Sequence, residues 1–144
     1  MILLQRFIAI GWILVSGQLM GQISADNYRI YSVKTGTEVT LSAIVEDMAN
    51  YDVVLYGEEH DDAVTHFIEA QLLTLMHQQY GEKIALSLEM FDRDVQPVMD
   101  EYLQGSIREK HFTKDARVWS NYTDYKPMVE YAKTNGIPVI CANA

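Results

Sequence analysis

Cysteine is scarce in this sequence, and its scarcity excludes several kinds of protein. Cys141 is the only cysteine among the 144 residues, so no intrachain disulfide can form, although an exported protein could keep one. No cysteine lies near the N-terminus, which excludes a lipid anchor at that end, and no C-x-x-C-H motif occurs, which excludes covalent c-type haem. Cys141 is therefore expected to be a small buried residue.

Basic residues are also few. The chain has 11 Lys and Arg against 20 Asp and Glu, a formal net charge of -9. Such a surface repels phosphate backbones, so nucleic acid is not an expected partner. No repeat, low-complexity tract or block of like charges occurs, and 49% hydrophobic with 22% charged residues is a globular composition. The length suits one domain.

The sequence has no apolar run long enough for a membrane span. The apolar run at residues 7–15 follows Arg6 and falls short of the roughly 20 residues that cross a bilayer. Small residues after it, at 15–17 and 19–21, offer cleavage sites. This pattern predicts a signal peptide over residues 1–21, ahead of one domain over 22–144. The protein is then exported, periplasmic or secreted, and not a lipoprotein. The alternatives are an uncleaved anchor or a buried N-terminal strand.

Three short apolar runs predict strands that are buried on both faces, at residues 52–57, 84–88 and 137–141. Helical periodicity separates them, and a weak hairpin is expected before the first. The stretch from 106 to 123 is polar and is expected to be irregular. Helices and strands in the chain thus predict an α/β fold: a three-layer parallel, or mostly parallel, sheet with helices on both faces. Three strands make a thin sheet, so the fold is expected to be incomplete in this chain, or completed by a second copy.

Polar side chains follow each predicted strand. Glu58 and His60 follow the first, Glu89 the second and Asn143 the third. Ligands bind at the carboxyl ends of parallel strands, so these four side chains are expected to converge. A Glu/His set suits a divalent metal or acid/base chemistry. A separation of Glu58 from Glu89 above about 15 Å, three strand spacings, would contradict a common site.

Each of these motifs also has a simpler interpretation. Glu58 and Asp61 could only cap the following helix, and His60 could be a satisfied loop residue. His66 falls opposite the apolar stripe of its helix, so periodicity places it on the surface, where it could still serve a ligand held between two subunits. The helix itself is expected to begin at Asp61 or Asp62.

An aromatic cluster follows the polar stretch. Trp119, Tyr122 and Tyr125 offer flat faces, and Lys126 adds a cation. Tyrosine is one of the axial ligands that haem iron accepts. The simpler interpretation of the cluster is a core anchor ahead of a helix.

Several motifs in order make the chain resemble the ChaN-like haem-binding family, from about residue 40 to the end. That family is grouped with TIKI/TraB-like and erythromycin-esterase-like proteins. The motifs are Val53-Val54-Leu55-Tyr56-Gly57-Glu58-Glu59-His60-Asp61-Asp62, Thr65-His66, Leu86-Ser87-Leu88-Glu89-Met90-Phe91-Asp92-Arg93, Gln96-Pro97, Asp100, Tyr102-Leu103, Trp119, Tyr125 and Ile140-Cys141-Ala142-Asn143-Ala144.

The resemblance implies an exported, iron-regulated protein that holds haem between two subunits, with a tyrosine on the iron. Members are roughly twice this length, which implies that this chain corresponds to the N-terminal portion. Many are lipoproteins, and this chain lacks the cysteine. Where members often have two adjacent histidines, this chain has Thr65-His66, so only His66 carries over.

Two functions follow as hypotheses. The first is a haem-binding protein for iron acquisition, with non-covalent haem, a possible homodimer and outer-membrane uptake machinery as partners. Its candidate contacts are Glu58, His60, His66, Glu89, Trp119, Tyr122, Tyr125, Lys126 and Asn143. The second is a metal-dependent hydrolase of the wider group, in which Glu58, His60 and Glu89 hold a divalent metal and activate water. A fragment unable to fold without its missing half is a third possibility.

Overall fold

A computed structural model describes residues 23–143. The predicted signal peptide at 1–21 lies outside them. The elements in chain order are β1 (Ile30–Ser32), β2 (Thr37–Val39), α1 (Leu41–Asp47), α2 (Ala63–Tyr80), β3 (Leu86–Asp92), α3 (Gln96–Leu103), α4 (Glu109–Asp115), α5 (Tyr122–Asn135) and β4 (Val139–Asn143). The mixed α/β class predicted from the sequence is confirmed.

The expected N-terminal hairpin is present. β1 and β2 pair antiparallel, with Ile30 opposite Val39. The turn between them contains Gly36 at φ 67°, a left-handed conformation that costs glycine little. The Gly36 N–H donates to the Ser32 carbonyl at 2.8 Å, which closes the turn.

β3 and β4 form a two-stranded parallel sheet, with Leu88 opposite Cys141 and an irregularity between Leu88 and Asp92. Parallel pairing of the second and third predicted strands is therefore confirmed. Helices α3, α4 and α5 join the two strands and pack on them, because apolar faces of sheet and helix must bury each other. The largest fully buried side chains of this core are Tyr125, Phe91, Phe112, Met99, Val129 and Cys141.

The outer edge of β4 is closed by a side chain. The Gln96 amide Nε2 donates to the Val139 carbonyl at 2.8 Å, and the Cys141 N–H donates to Gln96 Oε1 at 2.9 Å. A neighbouring strand would make the same two bonds. Gln96 thus satisfies two backbone groups at residues that are 3% and 0% exposed, which a buried edge requires.

Truncation of this amide should destabilise the fold. Gln96→Ala leaves a buried carbonyl and a buried N–H without partners, and we expect the free energy of unfolding to fall by about 2 kcal/mol. Gln104→Ala is the matched control, because Gln104 is exposed at the end of the same helix, and should cost less than about 0.5 kcal/mol. Urea titration followed by circular dichroism measures both. Equal losses in the two variants would contradict the edge-closing role.

Helix α2 covers a smaller apolar cluster, whose buried members are Leu41, Val45 and Leu72. Thr40 caps α1 by accepting from the Ala43 N–H at 3.2 Å. α2 ends at Gly81, whose φ of 59° suits a residue without a Cβ. No helix among residues 23–143 combines the length and the apolar character that crossing a membrane requires.

The prediction of a strand at residues 52–57 was wrong. The segment belongs to none of the four strands and is not buried on both faces. Val54 packs against the smaller cluster, while Val53 and Leu55 are 68% and 91% exposed. A strand requires a hydrogen-bonded neighbour, and neither sheet of the described chain provides one. The three-layer sheet is accordingly not formed by residues 23–143.

Two other predictions need correction. The stretch from 106 to 123, expected to be irregular, contains α4, because Phe112 is 0% exposed and anchors the helix in the core. Each of the two parallel strands begins two residues later than predicted. Pro138 lacks an N–H and cannot fully join a ladder, and Glu89 lies inside β3 instead of after it.

Cys141 is buried, as expected, and its thiol should react slowly with labelling reagents. Burial raises its pKa to about 11 from an ordinary value of 9.0. Two units of pKa correspond to about 100-fold less thiolate at pH 8. We expect Ellman's reagent to label the folded protein at least about 100-fold more slowly than the urea-unfolded protein. Equal labelling rates would show that Cys141 is accessible.

Candidate functional site

The loop that carries Glu58 and His60 enters helix α2 through Asp62. The Asp62 carboxylate accepts from the Val64 N–H at 2.9 Å and from the Thr65 hydroxyl at 2.8 Å. The Val64 N–H, followed by the Thr65 hydroxyl, lowers the pKa of Asp62. Of the two capping residues that the sequence allowed, the structure uses Asp62. Its bonds fix where the preceding loop turns towards the helix.

The backbone of this loop is held from two sides. The His60 carbonyl accepts a hydrogen bond from His66 Nε2 at 2.9 Å and a second from the Asn121 amide at 2.9 Å. His66 belongs to α2, and Asn121 precedes α5. The loop is therefore positioned by both helices, which gives a rigid base for the side chains it carries.

One oxygen of Glu58 binds Tyr125 and His60. The Tyr125 hydroxyl donates to Glu58 Oε1 at 2.5 Å, and His60 Nδ1 lies 2.6 Å from the same oxygen. Burial alone would raise the pKa of Glu58, but the hydrogen bonds from Tyr125 and His60 outweigh it and the pKa is lowered. Glu58 is therefore ionised at neutral pH, and the hydrogen bond that it accepts from His60 raises the pKa of His60.

The other oxygen of Glu58 faces a buried histidine and a second glutamate. His66 Nδ1 lies 3.3 Å from Glu58 Oε2 and 3.2 Å from Glu69 Oε2. Glu58 Oε2 itself is buried and has no hydrogen-bond partner among the described residues. A carboxylate oxygen of Glu58, a ring nitrogen of His66 and a carboxylate oxygen of Glu69 lie within 4.8 Å of one another. We call these three residues the buried triad.

The charges of the buried triad do not balance. His66 Nε2 must carry a proton, because it bonds to a carbonyl, so in the neutral ring Nδ1 is a lone pair facing two carboxylates. Burial alone would lower the pKa of His66, but the His60 carbonyl and the Glu69 carboxylate outweigh it and the pKa is raised. Burial, followed by the charge of Glu58, raises the pKa of Glu69 to about 7. Even a protonated His66 leaves one excess negative charge when both glutamates ionise.

Aromatic rings enclose the site. Tyr125 meets the His66 ring edge-on, with centroids 4.5 Å apart. Trp119 meets the His60 ring in the same manner at 5.2 Å and contacts Tyr125 at 6.3 Å. The His60 side chain remains 53% exposed. His60 and Trp119, which we call the outer pair, therefore present a partly exposed surface in front of the buried triad.

Two features of the buried triad differ from the sequence analysis. Periodicity placed His66 on the surface, yet it is 5% exposed, because Tyr125 and the loop cover it. Glu69 was not recognised at all. The available signal was its position three residues after His66, which puts both side chains on one face of a helix.

Tyr122 and Lys126, also candidates from the sequence, make their described contacts with residues outside the buried triad. Tyr122 is 7% exposed and packs on Phe112 with ring centroids 5.9 Å apart, so it belongs to the core. Lys126 pairs with Glu109 at 2.5 Å. Neither makes a hydrogen bond to Glu58, His60 or His66 among the described contacts.

Glu89 and Asn143 make no hydrogen bond to Glu58 among the described residues. Glu89 lies on the exposed side of β3, and its charge contributes, after that of Glu58, to raising the pKa of His60. Asn143 donates to Asp92 at 3.1 Å, and Asp92 also binds Arg117 at 3.0 Å. The ends of β3 and β4 are thus joined to each other and to Arg117 by hydrogen bonds of Asp92.

A comparison with protein-family models identifies the relatives of the chain. The model described as "Haem-binding uptake, Tiki superfamily, ChaN" matches residues 44–144, which is more than half of the chain and includes every residue of the buried triad and the outer pair. No curated protein and no solved structure matches the chain significantly. The chain therefore belongs to the ChaN family of haem-binding uptake proteins, within the Tiki superfamily.

Proposed function

We propose that this chain is an exported protein that binds haem non-covalently as cargo for iron acquisition. The observation that carries the proposal is the family match across residues 44–144. Haem is a flat, apolar macrocycle with two anionic propionates, so a binding surface needs apolar or aromatic contacts together with iron ligands or cationic groups.

The described residues fit this group. His60 is half exposed next to Trp119, which pairs a nitrogen ligand with an aromatic face. Val53 and Leu55, in the segment that leads to Glu58, are 68% and 91% exposed. Both side chains are therefore available to contact an apolar ligand. Bound haem would add an iron that accepts nitrogen or oxygen ligands.

Hemin titration tests the proposal. We expect a saturable Soret band from the mature protein, weakened at least about tenfold by Trp119→Ala, since loss of one buried aromatic contact is worth about 1.4 kcal/mol or more. Tyr31→Ala is the control, because Tyr31 is an aromatic residue that is 59% exposed and lies in the N-terminal hairpin. A Soret band that no tyrosine, tryptophan or histidine substitution changes would mean non-specific adsorption and would refute the proposal.

Export, assembly and the finer fold belong to the same proposal. Residues 1–21 act as a signal peptide, and the mature domain works in the periplasm or outside the cell, with outer-membrane uptake machinery as its partner. Mass spectrometry of protein from the periplasm should find the chain cleaved after residue 17 or 21. Haem lies between two copies of the chain, and the second copy completes the three-layer parallel sheet. Light scattering with and without hemin measures the dimer.

The buried triad favours a second candidate function, metal-dependent hydrolysis. His66 Nδ1 lies 3.2–3.3 Å from one oxygen of each glutamate, and two ligands bound tetrahedrally at about 2.1 Å from an ion are about 3.4 Å apart. His66 donates its other nitrogen to a backbone carbonyl, as metal-bound histidines commonly do. The partnerless oxygen of Glu58 would gain a partner, and a dication would offset the excess negative charge.

In this second candidate, each residue has a separate role. Glu58, His66 and Glu69 would hold a divalent metal, which when bound lowers the pKa of a coordinated water. His60, held by Glu58, would accept or return a proton at the exposed face. This ligand set differs from Glu58, His60 and Glu89, the set predicted from the sequence. Metal analysis decides: stoichiometric zinc or manganese, lost in Glu58→Ala, favours the hydrolase, whereas haem without such a metal favours uptake.

A further inference from the structure

Helix α4 and the residue before it carry a group of unpaired cations. Arg108, Lys110 and Lys114 are exposed, and none of them forms an ion pair among residues 23–143. Four of the 11 Lys and Arg of the chain lie within residues 108–117, which hold two of its 20 Asp and Glu. We call Arg108, Lys110 and Lys114 the α4 cations.

The remaining cations of the described chain are either paired or isolated. Arg29, Arg117 and Lys126 form ion pairs with carboxylates, and Lys133 lies 3.6 Å from the centre of the Tyr102 ring. The isolated cations, all of them exposed, are Lys34, Lys83 and Arg93. The α4 cations are thus the densest group of unpaired positive charge among residues 23–143.

Two of these charges oppose the helix that carries them. Lys110 and Lys114 are four residues apart in α4, so their side chains share one face of the helix and their like charges repel. Glu109, the acidic residue of the first turn, is bound by Lys126 of α5. Local conflicts of this kind are expected at functional sites, and an anionic ligand would relieve this one.

The chain brings the end of α4 close to the outer pair. The Val118 N–H donates to the Thr113 carbonyl at 3.4 Å, which joins the residue before Trp119 to the residue before Lys114. Because consecutive Cα atoms are about 3.8 Å apart, this bond keeps the Cα atoms of Lys114 and Trp119 within about 15 Å of each other. A macrocycle that rests on Trp119 is therefore near enough for its edge to meet the Lys114 side chain.

Haem is an anionic ligand, and this chain is acidic. The two propionates of haem are negative, while the chain has a formal net charge of -9, so the overall field of the protein opposes the approach of the ligand. Unpaired cations close to the aromatic contact reverse the field locally. Ammonium and guanidinium groups also form charge-assisted hydrogen bonds with carboxylates. The α4 cations thus supply what the propionates need.

We propose that the α4 cations recognise the propionates of haem. Lys114, the nearest of them to Trp119 along the chain, contacts a propionate, and Arg108 and Lys110 add positive field that attracts the ligand. This inference rests on the proposed haem-binding function and goes further by naming where the acidic groups of the ligand bind. It concerns the propionates alone and holds whichever residue binds the iron. It also differs from the expectation for Lys126, whose ammonium is bound by Glu109.

Hemin and its dimethyl ester test the assignment, because the ester keeps the iron and the macrocycle but lacks the charge of the propionates. The test variant removes all three charges and is Arg108→Gln, Lys110→Gln and Lys114→Gln made together. We expect the variant to bind hemin about tenfold more weakly than the wild-type protein does at about 0.01 M salt, and to bind the ester equally well. Among the single changes, Lys114→Gln should have the largest effect. Absorption titration measures each affinity.

The matched control removes two lysines and one arginine at the isolated exposed positions, and is Lys34→Gln, Lys83→Gln and Arg93→Gln made together. It has the same net charge as the test variant, so it separates local recognition from the overall charge of the chain. We expect its affinity for hemin to stay within about twofold of the wild-type value. Raising the salt to about 0.1 M shortens the Debye length from about 30 Å to about 10 Å, and should reduce the difference between the two variants.

Equal affinities of the test and control variants for hemin would overturn the role of the α4 cations while leaving haem binding intact. Equal weakening of hemin and ester binding by the test variant would overturn it as well, because the propionate charge would then be irrelevant. If circular dichroism shows that the test variant does not fold, Lys114→Gln alone takes its place. Absence of saturable binding of both hemin and the ester by the wild-type protein would overturn the proposed function, and the assignment with it.

Discussion

Phe112→Ala should lower the free energy of unfolding by about 3–5 kcal/mol, since deletion of a buried phenyl ring costs both its transfer energy and a cavity. Phe112 is 0% exposed. Its ring stacks on Tyr102 with centroids 4.2 Å apart and lies 5.7 Å from Phe91. These rings belong to three different elements, so the cavity cannot close by movement of one side chain.

The measurement is urea unfolding, with Phe67→Ala as the matched control. Phe67 is only partly buried on α2, where it meets Tyr28 at 6.4 Å, and its loss should cost about 1–2 kcal/mol. If the two variants lose equal stability, helix α4 is not packed in the core as described.

Helix α4 was not predicted because its sequence carries a weak signal. Residues 106–123 are mostly polar, and within α4 only Phe112 is buried, with Ala116 one turn later. One apolar turn gives no helical period that a sequence pattern could reveal. Packing against Tyr102 and Phe91 selects the helix, so it depends on contacts distant in sequence.

The existence of the parallel strands could be predicted, but their limits could not. Apolar runs identified β3 and β4, because a strand buried on both faces needs them. Where a strand ends depends on its ladder, and β3 continues past Glu89 to Asp92. Residues 52–57 have an equally apolar sequence but no ladder partner in residues 23–143, which shows that composition alone does not make a strand.

The site was predicted in part. Glu58 and His60 were recognised from their spacing, and the structure joins them at 2.6 Å. Glu69 was missed, because a glutamate in the middle of an amphipathic helix is ordinarily solvated. Its partial burial results from the approach of Glu58 and Tyr125 from other parts of the chain, which no local pattern encodes.

Glu69→Gln should stabilise the metal-free protein at alkaline pH. Burial and the charge of Glu58 raise the pKa of Glu69 from 4.5 to about 7. Between these two pH values the carboxyl is ionised in the unfolded protein but protonated in the folded protein. The Glu69 carboxyl therefore lowers the free energy of unfolding most above pH 7. This loss of stability disappears as the pH falls from 7 towards 4.5. Glutamine never ionises, so the advantage of Glu69→Gln should grow by about 1–2 kcal/mol between pH 5.5 and pH 8.

Addition of a divalent metal should reverse the order of stability. If the buried triad binds zinc or manganese, the wild-type protein gains stability with metal concentration, by about 2.7 kcal/mol at 100 times the dissociation constant. Glu69→Gln loses an anionic ligand and should gain far less.

Glu101→Gln, the same change at an exposed position on α3, should follow the wild type under every condition. Thermal unfolding in EDTA and in metal, at pH 5.5 and pH 8, measures both effects. A Glu69→Gln variant that matches Glu101→Gln throughout would show that Glu69 is an ordinary surface carboxylate, because neither the repulsion from Glu58 nor the metal would then act on it.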